Sequence, residues 1–155
     1  MGVEREITTR QASIFDLDLV APLFDAYRVF YRKPSDPELA REFLLERFQH
    51  NESVIFIAQG EGGAALGFVQ LFPSFSSGAA ARILILNDLF VVPQARRRGV
   101  GKLLLQAACE YGKAARVVRL TLATEVVNTG AQALYESQGW KRQRDFVGYD
   151  LSIAP

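Results

Sequence analysis

A long apolar segment, followed by a glycine- and arginine-rich loop and a helix, constrains the fold most. Residues 82–92 are nearly continuous in Ile, Leu, Val and Phe, which predicts a strand buried on both faces at the centre of a sheet. Apolar residues with helical spacing follow in 100–115, and residues 116–124 again predict a strand. Strands joined in this way pair in parallel through a right-handed crossover. We therefore predict an α/β fold, with helices flanking a central mixed sheet.

The rest of the chain also alternates between predicted strands and helices. Strands are predicted at 4–11, 53–59 and 65–72, the last two as a hairpin, and residues 73–78 as a loop. Residues 16–30 predict a helix, and a second helix begins at a capping box formed by Ser35 and Glu38. A short helix at 129–138, ended by Gly139, precedes a last strand or hairpin at 140–153.

The composition argues against several kinds of site and partner. The 155 residues suit one domain, 1–155, and 18 basic against 17 acidic residues give a net charge of +1, which argues against a nucleic-acid partner. One Cys and one His exclude an intrachain disulfide and a Cys/His zinc site, so we predict no metal. His50 lies in a polar stretch, which disfavours a catalytic triad built on it. No apolar run is long enough to cross a bilayer, so we expect a cytoplasmic protein without membrane contact.

The loop at 92–102 predicts an anion site. Gly99 and Gly101 let the backbone turn tightly at the start of a helix, where free N–H groups and the helix dipole favour a phosphate. Three arginines, Arg96 to Arg98, and Lys102 add positive charge. The loop lacks the first glycine of a Walker motif and the third glycine of the dinucleotide fingerprint. A different pyrophosphate ligand is therefore indicated.

Two further segments give the loop a family context. Residues 96–101, Arg-Arg-Arg-Gly-Val-Gly, match the R/Q-x-x-G-x-G/A signature of the GCN5-related N-acetyltransferases (GNAT), and residues 86–93 resemble the strand that precedes it. Asn128, Ala131, Leu134-Tyr135 and Gly139-Trp140 resemble the N-x-x-A-x-x-L-Y-x-x-x-G-F/W segment of that family. The resemblance to the family covers residues 83–140. Residues 30–35 and 86–90 also resemble the diamine and small-amine acetylating branch, but this likeness is weaker.

The resemblance implies that acetyl-coenzyme A is the co-substrate. The family's glycine-rich loop binds its pyrophosphate, its central strand hydrogen-bonds the pantetheine arm, and a splay between that strand and 116–124 makes room for it. The positions that the resemblance assigns to this binding site are Leu89, Phe90, Val91, Arg96, Arg97, Arg98, Gly99, Val100, Gly101, Lys102, Asn128, Ala131 and Tyr135. Asn128 also suits a turn or cap, and Thr129 with Gln132 has capping-box spacing.

The resemblance also suggests the catalytic groups. Tyr135 matches the family tyrosine that protonates the departing thiolate. Relatives often have Glu where this chain has Asn87, which cannot act as a base, so Asp88, Glu125 or a water chain must take the proton of the amine. A backbone N–H near Phe90 would hold the oxyanion during direct attack. Cys109 lies beside an apolar helical stripe and is interpreted as a packing residue.

The acceptor is not fixed by the resemblance. A small amine, a polyamine, an amino acid, and a protein lysine or N-terminus all remain open, since acidic Asp25, Asp36 and Glu38 lie near basic Arg28 and Arg32. The alternative function is a non-catalytic coenzyme A sensor or partner-binding module. Dimers are common in the family, so residues 140–153 are also predicted as a homodimer interface.

Overall fold

The computed structural model describes residues 6–154, which divide into two compact units, one extending to Ala123 and the other running from Thr124. The first unit contains a five-stranded sheet in the order β1-β2-β3-β4-β5. Its strands are β1 (Thr8–Gln11), β2 (Val54–Gln59), β3 (Ala65–Ser76), β4 (Ala81–Val91) and β5 (Leu120–Thr121). Its helices are α1 (Leu17–Phe30), α2 (Pro37–Gln49) and α3 (Val100–Ala114). The second unit contains α4 (Thr129–Ser137).

The sheet is mixed, as the sequence predicts. Neighbouring strands from β1 to β4 pair antiparallel, whereas β4 and β5 pair in parallel through Leu84–Leu120 and Ile85–Thr121. The long apolar strand β4 therefore lies between β3 and β5. Four of its apolar residues, Ile83, Leu84, Leu86 and Phe90, are buried, because helices cover both faces of the sheet.

Helices α1 and α2 pack on one face of the sheet. Leu23 and Phe24 of α1 and Leu44 of α2 share a buried cluster with Ile57 and Phe68 of the sheet. Helix α3 covers the opposite face, where Leu104 approaches Gly67 of β3 and the ring of Tyr111 lies 5.9 Å from that of Phe56. The alternation of side chains along each strand thus gives every central strand two apolar faces.

The helix ends differ from the predicted caps. Asp36 begins α2 by accepting a hydrogen bond from the Leu39 N–H at 3.1 Å, so the predicted capping box of Ser35 and Glu38 is wrong. Ser35 instead donates its hydroxyl to Asp25 at 2.7 Å. At α4 the cap is Asn128, which confirms the cap interpretation of that residue, whereas the capping box of Thr129 and Gln132 is not the cap. Gly139 does end that helix, with a φ of +91°.

The strand boundaries differ more. The first strand begins at Thr8 rather than residue 4, and residues 4 and 5 lie outside the described part. Strand β3 runs through Pro73 to Ser76, where a loop is predicted, because β4 continues to pair with it. Strand β5 has two residues instead of the predicted nine at 116–124, and residues 140–154 contain no strand, contrary to prediction. Cys109 is exposed, so its predicted packing role is wrong.

No helix within residues 6–154 combines the length and the apolar character needed to span a bilayer.

Candidate active site

The loop between β4 and α3 leaves the start of α3 without a side-chain cap. A 3-10 turn at Pro93–Ala95 leads to Arg97 and Gly99, both left-handed, with φ values of 64° and 78°. Helix α3 begins at Val100, with Gly99 at the N-cap position. Glycine has no side chain, so among the described residues the N-cap makes no side-chain hydrogen bond to the first N–H groups of the helix. Uncapped N–H groups at the positive end of a helix dipole can bind an anion. The start of α3 is therefore suited to an anion, and the phosphate site itself stays a prediction.

The basic residues of this loop fall into two groups. Arg97, Arg98 and Lys102 are exposed around the start of the helix. Arg96 instead turns back onto the protein, where its Nε donates to the Val91 carbonyl oxygen at 3.1 Å. Its guanidinium lies over the rings of Phe30 and Phe90, 5.4 and 5.9 Å from their centroids. The first motif position thus contacts the end of β4 and the last residue of α1.

Strand β4 has an open edge next to this loop. Its pairing with β5 ends at Ile85 and Thr121, so the following residues, which include Leu89, Phe90 and Val91, pair with β3 alone among the described residues. An open strand edge offers backbone N–H and C=O groups to an extended ligand. The pairing of β4 with β5 thus ends before this edge, and the splay between the two segments stays a prediction.

A β-bulge at Asn87 separates the two halves of β4. Gln70 faces Asp88 and the next residue, Leu71, faces Leu86, so Asn87 is the extra residue on β4. The bulge leaves the Asn87 side chain exposed, whereas Asp88 is only 2% exposed. Bulges commonly redirect side chains next to active sites. The two adjacent polar residues that the sequence singles out therefore have different environments.

The Asp88 carboxyl belongs to a small polar network inside the sheet. It accepts hydrogen bonds from Nε2 of the fully buried Gln70 and, at 2.9 Å, from Nδ2 of Asn87. Burial raises the pKa of Asp88, and the hydrogen bonds from Gln70, Asn87 and Tyr27 oppose that rise. Oε1 of Gln70 is buried without a partner among the described residues. Asp88 is thus a carboxyl whose proton affinity is enhanced.

Sequence reasoning missed Tyr27 as part of this network. Its spacing with Leu23, Phe24 and Phe30 indicates an apolar helix face, and its ring does pack on Phe68 at 6.0 Å. Its hydroxyl, however, reaches the bulge, where it donates to the Asn87 carbonyl oxygen at 3.4 Å. A tyrosine on an apolar helical stripe looks like any other packing residue in the sequence. Its ring alone accounts for the apolar pattern, and the pattern does not indicate what its hydroxyl contacts.

The second unit contains the remaining predicted residues. Oδ1 of Asn128 accepts from the Ala131 N–H at 3.2 Å and caps α4, which brings these two predicted residues together. Tyr135 is half-buried on the same helix, and its ring lies 6.0 Å from that of Trp140. The chain reverses there, since the Trp140 N–H bonds to the Tyr135 carbonyl oxygen at 3.1 Å.

Comparison with known proteins identifies the family. The sequence profile of the Acetyltransferase (GNAT) family matches residues 20–140. The chain belongs to the GNAT family. It is 49% identical over 144 residues to YhfO, an uncharacterized N-acetyltransferase of Bacillus subtilis (strain 168), and the match covers 93% of this chain and 96% of YhfO.

Solved structures of acetyltransferases share the fold. A crystal structure of a probable acetyltransferase has a TM-score of 0.90 at 43% identity, and the match covers 96% of this chain and 99% of that one. The aminoglycoside N-acetyltransferase AAC(6')-Iy in complex with coenzyme A has a TM-score of 0.77 at 24% identity, with 99% of both chains covered. The predicted fold class and the predicted acetyltransferase enzyme are confirmed. The small-amine branch stays a prediction.

Proposed function

We propose that this GNAT protein transfers the acetyl group of acetyl-coenzyme A to a primary amine by direct attack of the amine nitrogen on the thioester. The uncapped start of α3, directly after the left-handed Gly99, is the observation that carries the proposal. It supplies N–H groups for a pyrophosphate at the position of the family signature. The nearby open edge of β4 supplies backbone groups for the amide-containing arm.

The residues present fit this co-substrate. Backbone N–H groups of Arg97 to Lys102 would bind the pyrophosphate, with the exposed side chains of Arg97, Arg98 and Lys102 adding positive charge. Asn128 uses Oδ1 for its helix cap, which leaves its Nδ2 for the pantetheine arm. Bound acetyl-coenzyme A supplies an acyl group already activated as a thioester, so neither a metal nor a thiol nucleophile is required.

The amine must lose a proton before it can attack. An alkyl ammonium has a pKa near ~10.4, so a proton acceptor is needed. Asn87 cannot act as one, and its exposed side chain is assigned to substrate contact at the bulge. Asp88 is assigned as the final proton acceptor, because burial gives its carboxyl a raised pKa.

Two groups act on the tetrahedral intermediate. A backbone N–H near Phe90 on the open edge of β4 is assigned to the oxyanion, and the Tyr135 hydroxyl to protonation of the leaving thiolate. The Tyr135 assignment is supported by its match to the family motif, in which Gly139 and Trp140 follow at the expected spacing. The ammonium loses one proton to the acceptor, and the neutral amine forms the new C–N bond. As the C–S bond breaks, Tyr135 protonates the sulfur, and the nitrogen loses a second proton, which restores the Tyr135 hydroxyl.

Three broader features complete the proposal. A single domain, 1–155, is supported by the family profile, which runs continuously from residue 20 to residue 140. A homodimer through residues 140–153 is supported by exposed apolar side chains at alternate positions, Tyr149, Leu151 and Ile153. A cytoplasmic location is supported by the single cysteine in the chain.

Thiol release tests the proposed activity. Purified protein is mixed with acetyl-coenzyme A and a panel of small amines, polyamines, amino acids and lysine peptides, and products are weighed by mass spectrometry. We expect thiol release with at least one amine and a mass gain of one acetyl group on that amine. Tyr135→Phe keeps the ring and removes the proton, so turnover should fall by about 10²-fold or more with little change in acetyl-coenzyme A affinity.

A sensor gives a different result. Tight binding of acetyl-coenzyme A with no thiol release across the panel would contradict catalysis and favour the coenzyme A-binding module. Affinity that survives replacement of both Gly99 and Gly101 by Val would contradict the phosphate loop itself.

A further inference from the structure

Asp88 has the proton affinity of a base but lacks direct access to a substrate. Asp88 is 2% exposed and directly follows Asn87, the extra residue of the bulge. A general base must come within hydrogen-bonding reach of the proton it removes, directly or through an intermediate group. If Asp88 is the final acceptor, as the proposed function assumes, another group must connect it to the amine.

The hydrogen-bond partners of Asp88 identify that group. Three side chains affect its carboxyl through hydrogen bonds: Gln70 from β3, Asn87 from β4 and Tyr27 from α1. The two amides cannot exchange a proton at neutral pH. A phenol hydroxyl can, since it accepts a proton on its oxygen while it donates its own.

Tyr27 also has suitable geometry. The residue is half-buried, and its hydroxyl donates to the Asn87 carbonyl oxygen at 3.4 Å. The hydroxyl is also near enough to Asp88 for a hydrogen bond to that carboxyl to lower its pKa. Its single proton can turn to one of these two acceptors at a time. Its ring is held between Phe24, Tyr31 and Phe68, with centroid distances of 6.2, 4.9 and 6.0 Å. The ring contacts therefore hold the hydroxyl at the bulge, next to the Asn87 carbonyl oxygen and within hydrogen-bonding reach of the buried Asp88 carboxyl.

We propose that the Tyr27 hydroxyl is a catalytic proton relay from the attacking amine to Asp88. The Tyr27 oxygen accepts a proton from the ammonium while the Tyr27 hydroxyl proton passes to the Asp88 carboxylate. Tyr27 ends as it began, the amine becomes neutral, and Asp88 becomes protonated. The proton then leaves to solvent between turnovers. The relay rests on the proposed acetyl transfer.

The relay predicts a specific pH dependence. Asp88 must be ionised to accept the proton, so kcat/KM rises as the pH passes through the raised pKa of Asp88. The groups that alter this pKa come from β3, β4 and α1, and none of them carries a charge. The Tyr27 hydrogen bond lowers the pKa, so its loss moves the acid limb of the profile to higher pH.

The test is a double-mutant cycle with Tyr27→Phe and Asp88→Asn, measured with an amine accepted by the wild type. Each single variant should lose about 10²-fold in kcat. The double variant should fall no further than Asp88→Asn, because both groups act on one proton. The acid limb should move to higher pH in Tyr27→Phe and vanish in Asp88→Asn. Tyr31→Phe, which removes the hydroxyl of the neighbouring ring, is the matched control. It should keep both kcat and the acid limb of the pH profile.

Several outcomes would overturn the relay. A Tyr27→Phe variant that retains kcat within about twofold of the wild type contradicts it, and so do multiplicative losses in the double variant. Absence of thiol release by the wild type with every amine would instead contradict the proposed function. If Tyr27→Phe does not fold, 3-fluorotyrosine at position 27 keeps ring and hydroxyl and lowers only the phenol pKa. An unchanged pH profile of kcat/KM in that protein then contradicts the relay.

Discussion

The guanidinium of Arg96 lies over the ring of Phe30, 5.4 Å from its centroid. Arg96 lies in the loop that precedes α3, directly after the 3-10 turn, and Phe30 is the last residue of α1. The Nε of the same guanidinium holds the Val91 carbonyl oxygen at the end of β4. One side chain therefore joins the phosphate loop to the helix that presents Tyr27 and to the strand that presents Phe90. We infer that Arg96 positions the loop.

Replacement of Arg96 by Ala should destabilise the protein. The change removes a hydrogen bond to a carbonyl oxygen and a cation–π contact, which together correspond to about 1–2 kcal/mol. Arg98→Ala is the matched control: it removes the same charge from the same exposed loop and should change stability by at most about 0.5 kcal/mol. Urea unfolding followed by circular dichroism measures both. Equal stability of the two variants would show that Arg96 does not anchor the loop.

Replacement of Gly99 by Ala should weaken acetyl-coenzyme A binding through the backbone alone. An added Cβ would meet no atom within 4 Å, but the φ of +78° is unfavourable for any L side chain. The left-handed conformation costs an L residue about 1–2 kcal/mol, so the loop should relax into another conformation. The affinity for acetyl-coenzyme A should therefore fall by about tenfold. Calorimetric titration measures this. Gly78→Ala, in an open turn, should bind normally, and unaltered binding by Gly99→Ala would exclude the backbone cradle.

Replacement of Gly67 by Ala should disturb the strand that holds the proposed oxyanion site. The new Cβ would lie 2.5 Å from the Phe90 carbonyl oxygen and 3.2 Å from the Val91 Cα, so β4 must move. Overpacking of this kind costs about 1–3 kcal/mol, and a shift of the open edge of β4 near Phe90 should also lower kcat. Gly130→Ala, whose Cβ meets nothing within 4 Å, is the control. Thermal unfolding and thiol release are the two measurements. Wild-type values in both for Gly67→Ala would show that this close approach is unimportant.

Apolar periodicity sufficed to predict the central part of the fold. The strand predicted at 82–92 is Ala81–Val91 and the helix predicted at 100–115 is Val100–Ala114, because both have strong apolar patterns that burial enforces. The strand predicted at 116–124 failed except at Leu120 and Thr121. Pairing there depends on how far β4 and β5 diverge, which local sequence does not determine.

The candidate site was only partly predictable. Asn87 and Asp88 stand out as polar residues within an apolar strand, but the partners of Asp88 could not be inferred. Gln70 reaches it because the bulge alters the register between β3 and β4, and Tyr27 reaches the adjacent Asn87 from a helix 60 residues away in the chain. Such contacts depend on tertiary packing, so only the structure reveals them.

Asp88→Asn should become more stable than the wild type as the pH rises. Because burial raises the pKa of Asp88, the folded protein retains a proton that the unfolded chain has lost, once the pH exceeds the unfolded value near ~3.9. The free energy of unfolding of the wild type therefore falls as the pH rises from that value to the folded pKa, and stays lowered above it. The neutral Asn side chain does not ionise, so this decrease with pH is absent from the free energy of unfolding of the variant. Urea unfolding from pH 4 to pH 8 should show a gap between the variant and the wild type that widens with pH. A constant gap would mean that the Asp88 pKa is the same in both states, and a gap that narrows would mean that it is lowered on folding.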